Sequence, residues 1–176
     1  MQGRRETAVL GMKRLATGLI LAILLLCGAL GAFAKPPKPI AAKKFDAAAR
    51  AALVAMKARA AELNISGVAV VAFAPGETIE GWSSQMAVVG HMTDTKASEK
   101  GNNLLGIAYA KASEMARTAK DSGTSGLPPM TGEFGWQGGV MAKTEKGFII
   151  VAFSGGKSED DVQVSKSGLA VMKSGL

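Results

Sequence analysis

Near the C-terminal end, Gly138-Gly139-Val140 leads through a turn into Phe148-Ile149-Ile150-Val151-Ala152-Phe153-Ser154-Gly155-Gly156, and then into Ser158-Glu159-Asp160-Asp161. This block constrains the fold more than any other part of the chain. Val140–Lys143 and Phe148–Ser154 predict a pair of antiparallel strands around Glu145-Lys146-Gly147, where glycine supplies the positive φ that a short connection needs. Ser158 and Asp161 stand three apart at the head of a final helix, a capping-box variant. Glu159 and Asp160 strengthen it at the positive end of the helix dipole. Val162, Leu169 and Met172 supply that helix with an apolar side.

The opposite end reads as an export signal. Arg4, Arg5, Lys13 and Arg14 precede an apolar run from Leu15 to Leu30, and Ala32-Phe33-Ala34 forms the small-x-small pattern of a cleavage site. A signal peptide over residues 1–34 is therefore expected. A transmembrane anchor and a lipid-modified Cys27 are the alternatives, the latter disfavoured by Leu26 before it. The Pro-rich stretch over 35–45 reads as a tether, since its prolines remove backbone donors and hold extended geometry. Residues 46–176 then form one domain, a length that buries a single core.

Cleavage alters the charge balance. The full chain carries +7, whereas residues 35–176 hold 17 basic and 13 acidic residues, a net +4. No dense Lys/Arg stripe interleaves with aromatics, which argues against nucleic acid as a partner. The single cysteine departs with the signal, so no disulfide is available. The expected setting is periplasmic or secreted, with no stable membrane anchor after cleavage.

Between these ends, Asp46 is expected to cap a helix to about Leu63, in which Ala49, Leu53, Met56, Ala60 and Leu63 recur at steps of three and four. Its many alanines favour helix and permit close approach to a sheet. Val68–Phe73 is nearly all apolar and β-branched, the pattern of a central strand covered on both faces. Thr78–Val89 predicts one long or two short strands, and Gly90–Lys100 a polar loop. Asn103 can cap a second helix whose stripe holds Leu104, Ile107, Ala108, Ala112 and Met115, with Lys111 as an anomaly. A lysine there is expected to snorkel; the sharper reading aims it at a carboxylate ligand or an acidic neighbour. Thr124–Gln137 is a connection long enough to be a functional loop.

No catalytic motif is assembled. Gly156-Lys157-Ser158 resembles the end of a phosphate loop, but the glycine needed five positions before Gly156 is Val151. His91 is the only histidine, which removes His-rich, His-pair and His/Cys metal sites. As a haem ligand it has chemical sense, with Met92 beside it and Tyr109 as a possible phenolate. Met86, Met92, Met115, Met130 and Met141 can line a flat cofactor or fill core gaps. Trp82 and Trp136 can anchor or stack. Glu133 and the Glu159–Asp161 run can offer carboxylates to a hard cation, although capping explains the latter more simply.

These pieces together resemble the GlcG/HbpS-like family of haem- and small-ligand-associated proteins. The likeness rests on Gly67-Val-Ala-Val-Val-Ala-Phe73, Ala110-Lys111-Ala112, Gly138-Gly139-Val140, Val151-Ala-Phe-Ser-Gly-Gly156, Glu159-Asp160-Asp161 and Ser167-Gly168-Leu169. It implies an α+β fold, a profilin-like α/β/α sandwich with a mostly antiparallel five-stranded sheet flanked by helices, and assembly into homo-oligomers. Taken with the export signal, it leads to the expectation of an exported, non-catalytic binding protein for haem or a related tetrapyrrole. His91 would be the axial iron ligand and Lys111 the propionate partner, with Gly138, Gly139, Gly155 and Gly156 letting backbone approach the ligand. A haem-degrading or small-carboxylic-acid enzyme or accessory factor, and a ligand-free oligomeric envelope protein, are the alternatives.

Overall fold

In the computed structural model, residues 42–96 and 99–176 are described. The signal peptide expected over 1–34, Cys27 and most of the tether lie outside them. Three helices and six strands follow in the order α1 (Ala42–Glu62), β1 (Gly67–Pro75), β2 (Ser83–Val89), β3 (Thr93–Asp94), β4 (Asn102–Asn103), α2 (Leu104–Thr118), β5 (Gly139–Thr144), β6 (Gly147–Ser154) and α3 (Ser158–Gly175). The sheet runs β2-β1-β6-β5, and every pair in it is antiparallel. Among the described residues it has four strands where five are expected. Thr93–Asp94 pairs only with Asn102–Asn103, as a separate two-stranded ladder. The polar composition of 90–100 offers no alternating apolar set to join the main core.

β1 and β6 occupy the centre, and their side chains divide by parity. Ala69, Val71 and Phe73 with Ile149, Val151 and Phe153 pack under α1 and α3; Val68, Val70 and Ala72 with Ile150 and Ala152 meet α2. The result is the expected α+β sandwich, with helices on both faces. The alanines of α1 do what their size allows: Ala48, Ala49, Ala52 and Ala60 are buried. A Cβ on Gly168 of α3 would stand 2.6 Å from Met56 Sδ, so this face is packed to contact.

Local signals place the elements with small shifts. Asn103 caps α2 as expected, its Oδ1 accepting from the Gly106 N–H at 3.0 Å. The β5–β6 hairpin forms, with Thr144 opposite Gly147 at φ +144°. Asp46 is not a cap. α1 begins at Ala42, four residues earlier and inside the expected tether, because Phe45 and Ala48 are buried in the core. Asp46 instead accepts from Gln85 Nε2 at 2.8 Å, tying α1 to the edge strand.

Candidate functional site

Charge enters the interior at one end of the sheet. Lys111, projecting from α2, is only 3% exposed and donates to the Phe153 carbonyl and to Asp161 Oδ2, both at 2.8 Å. Asp161, in the first turn of α3, also accepts the Gly156 N–H at 2.8 Å through Oδ1. Helices from opposite faces of the sheet are thus joined around its end. Gly138 makes the joint possible: a Cβ there would lie 2.3 Å from Lys111 Nζ and 2.8 Å from Asp161 Cβ. Its carbonyl is held by the Phe153 N–H at 3.1 Å and by Ser165 Oγ at 2.6 Å.

Desolvation and attraction oppose each other in this pair. Burial lowers the Lys111 ammonium below the usual lysine range, against the pull of Asp161. Burial likewise raises the Asp161 carboxyl above the usual range, against Lys111 and two backbone N–H donors. A charge buried alone is far more costly than a hydrogen-bonded pair, so each partner requires the other.

The pair forms the floor of a cleft of about 190 Å³. Leu104 and Ile107 of α2 supply apolar surface, Trp136 an aromatic one, and Asn102, Gln137, Ser154 and Ser158 hydrogen-bonding groups. Ser154 is 4% exposed, and among the described residues its hydroxyl has no hydrogen-bond partner in the protein. Asp94 stands in the lining with one oxygen accepting the Lys96 N–H at 2.9 Å and no salt bridge among the described residues.

Trp136 and Gln137 reach the cleft from the long connection after α2. Its neck is closed by Ser122 and Gly139, which exchange hydrogen bonds of 3.2 and 2.8 Å, and by the Gly123 N–H on buried Glu114 at 2.8 Å. The neck strands touch, since a Cβ on Gly123 would stand 2.7 Å from the Gln137 nitrogen. This is the build of an Ω-loop. Glu133 ties its body to α2 by a two-pronged pair with Arg117, 2.7 Å on each prong, and accepts the Met130 N–H at 2.9 Å. Those bonds hold its carboxyl down to about 2, the Arg117 hydrogen bonds first among the causes. Phe134 and Trp136 stack with centroids 4.8 Å apart.

The residues singled out in the sequence separate here. Lys111, Gly155 and Gly156 belong to the cleft; His91 does not line it and lies exposed after β2, next to exposed Met92. Lys111 does not snorkel, because Asp161 and Phe153 take its ammonium inside. Gly138 admits the ion pair, and Gly139 packs against Met115, whose Cε a Cβ would meet at 2.5 Å. The expected Ser158–Asp161 capping box is absent: Lys157 is the cap residue, without a side-chain cap bond, and Asp161 serves as the counter-ion. Glu133 holds the loop rather than offering a free carboxylate. Trp82 packs beside Ala72 and Ala112, whereas Trp136 is 46% exposed. Sequence reading missed Asp94, Asn102 and Gln137, which carry no motif, and took in Ser154 only as part of Val151–Gly156 with no role of its own; the one available signal was Lys111 itself, whose apolar neighbours demand a buried acid.

Neither a family model nor a curated protein matches the chain. Among solved structures, the crystal structure of the Klebsiella pneumoniae protein ORFY, a DUF336 protein of the GlcG-like family, is similar with a TM-score of 0.52 at 15% identity. The match covers 72% of this chain and 88% of that one. What the two proteins share is the α+β fold, with a mostly antiparallel sheet between helices.

Proposed function

We propose that this chain is an exported, non-catalytic binding protein, a distant member of the GlcG-like family, whose cleft over Lys111 and Asp161 holds a small polar molecule. The observation that carries this reading is the cleft floor. The two ionisable groups most able to act as acid or base are committed to each other and to backbone partners, at 2.8 Å in each case. A general acid or base must instead have its proton within reach of the reacting group. The remaining lining combines apolar surface with a few orienting polar groups, the usual composition of a binding site.

Haem fits this cleft poorly. Its volume of about 190 Å³ falls below the roughly 300–1,000 Å³ of pockets that enclose drug-sized ligands. His91 is outside the lining and Lys111 is already paired. No step is therefore assigned to haem.

Two titrations of the purified protein test the reading. Backbone amide spectra recorded with glycerol, nicotinamide, alanine and lactate are expected to show saturable shifts at Gly155, Gly156 and Ser158 with at least one of them. A hemin titration followed through the Soret band is expected to show no saturable one-to-one change. A one-to-one Soret shift that disappears in His91→Ala would restore the tetrapyrrole reading. Silence in both titrations would favour a ligand-free envelope protein.

A further inference from the structure

The cleft discriminates between ligand classes through its charge and the hydroxyl of Ser154, the more deeply buried of its two lining serines. Asp94, Lys111 and Asp161 are its formally charged lining residues, so it carries one excess negative charge. At the adjoining start of α3, Glu159 and Asp160 add two carboxylates and the cap residue Lys157 one ammonium. Because Lys111 and Asp161 cancel at 2.8 Å, the excess resides on Asp94, which has no salt-bridge partner among the described residues. Like charges at close range near a protein surface repel, which turns a small carboxylate away, most strongly at low salt. An ammonium gains by the same attraction, and an aromatic face such as that of Trp136 favours a cation further.

Ser154 specifies the other end of the ligand. β6 parity turns its side chain to the α2 face with Ile150 and Ala152, and the residue is 4% exposed while lining the cleft. Among the described residues its hydroxyl makes no hydrogen bond to the protein, and since no buried side-chain polar atom there lacks a partner, it opens on the cleft, where it can donate to an oxygen on the ligand.

We propose that the cleft selects a small amine that also carries a hydroxyl or carbonyl oxygen, with the ammonium at Asp94 and the oxygen on the Ser154 hydroxyl. This rests on the small-ligand reading and narrows it: amines are favoured over carboxylates, and Asp94 and Ser154 are specificity-determining residues.

The test uses ethanolamine, glycinamide and lactate as probes, followed through the amide signals of Gly155, Gly156 and Ser158. Ethanolamine or glycinamide is expected to saturate these signals, with lactate at least about tenfold weaker. Asp94→Asn should weaken amine binding about tenfold and remove most of its salt dependence. Ser154→Ala should weaken it several-fold while leaving the salt dependence unchanged. Both positions border solvent through the cleft, and an unchanged spectrum outside it verifies that each variant is folded. If lactate binds and the amines do not, the proposed selectivity is wrong. If the amines bind equally well to both variants, the assignment of Asp94 and Ser154 is wrong while the small-ligand reading stands. If no probe, including those of the broader panel, moves the cleft signals, both fail.

Discussion

The two faces of the sheet are built from the same strands and do different work. Under α1 and α3 the interior is apolar and tightly fitted, from Phe45 and Met56 to Phe153 and Met172. Against α2 the apolar set divides into two smaller clusters, and Lys111, Glu114 and Ser122 are buried on that side. Strand parity alone produces the division, because adjacent residues of β1 and β6 face opposite ways. A fold can thus concentrate apolar packing on one face and set a site at the end of the sheet, where Asp161 and Ser165 of α3 reach Lys111 and the Gly138 carbonyl.

The contrast is broken most severely at the ion pair. Asp161→Ala leaves a buried ammonium without its counter-ion and is expected to cost about 3–5 kcal/mol in urea unfolding. Replacing both partners, Lys111→Met with Asp161→Leu, should recover most of that loss, because the apolar pair needs no compensating charge. Failure of the double variant to recover would mean that the pair stabilises beyond its own desolvation. On the apolar face, Met56→Ala is expected to cost about 2–4 kcal/mol by cavity formation while leaving the Gly155 and Gly156 amide signals in place. Movement of those signals would show that the faces are coupled.

Smaller effects sharpen the comparison. Asn103→Ala removes the α2 cap and should cost about 1 kcal/mol, with the loss confined to the α2 side in hydrogen exchange. Arg117→Ala is expected to leave the melting temperature nearly unchanged but to raise acrylamide quenching of Trp136 in a Trp82→Phe background. Arg117→Lys should restore little, since an ammonium cannot reproduce the fork. The same fluorescence gives a pH prediction. The Glu133 carboxyl is held down to about 2 from an ordinary 4.5, so its contribution is full above 4.5 and is lost as pH falls through about 2. Trp136 emission should therefore be flat from pH 8 to 5 and change only in strong acid; a transition near pH 6 would exclude Glu133 as the controlling group.

How much was legible follows from how far apart the interacting residues lie. Asn103 meets Gly106 three residues on, and the β5–β6 turn closes over Glu145 and Lys146, so their signals are complete within a short stretch. Asp46 misled because a good cap residue near a helix start is only a local preference, and burial of Phe45 and Ala48 extended α1 past it. Lys111 was visible as an anomaly, but its partner lies 50 residues away. The carboxylates at 159–161 read equally well as dipole-complementing surface residues, and only the arrival of α3 at the end of the sheet selects Asp161.

The residues by themselves determined the central strand at Val68–Phe73, the terminal hairpin and the capped second helix, while the α+β sandwich followed from the family resemblance. Apolar runs, turn residues and caps act within a few positions of one another, so no distant contact has to form before they take effect. Tertiary structure alone decided that Lys111 meets Asp161, that Gly138 leaves room for them, that Glu133 fastens the Trp136 loop, and that Ser154 and Asp94 share a cleft. Each of these depends on side chains from separate elements converging at one end of the sheet. Their pairing is set by the packing of whole layers, for which no single stretch of chain carries a local signal.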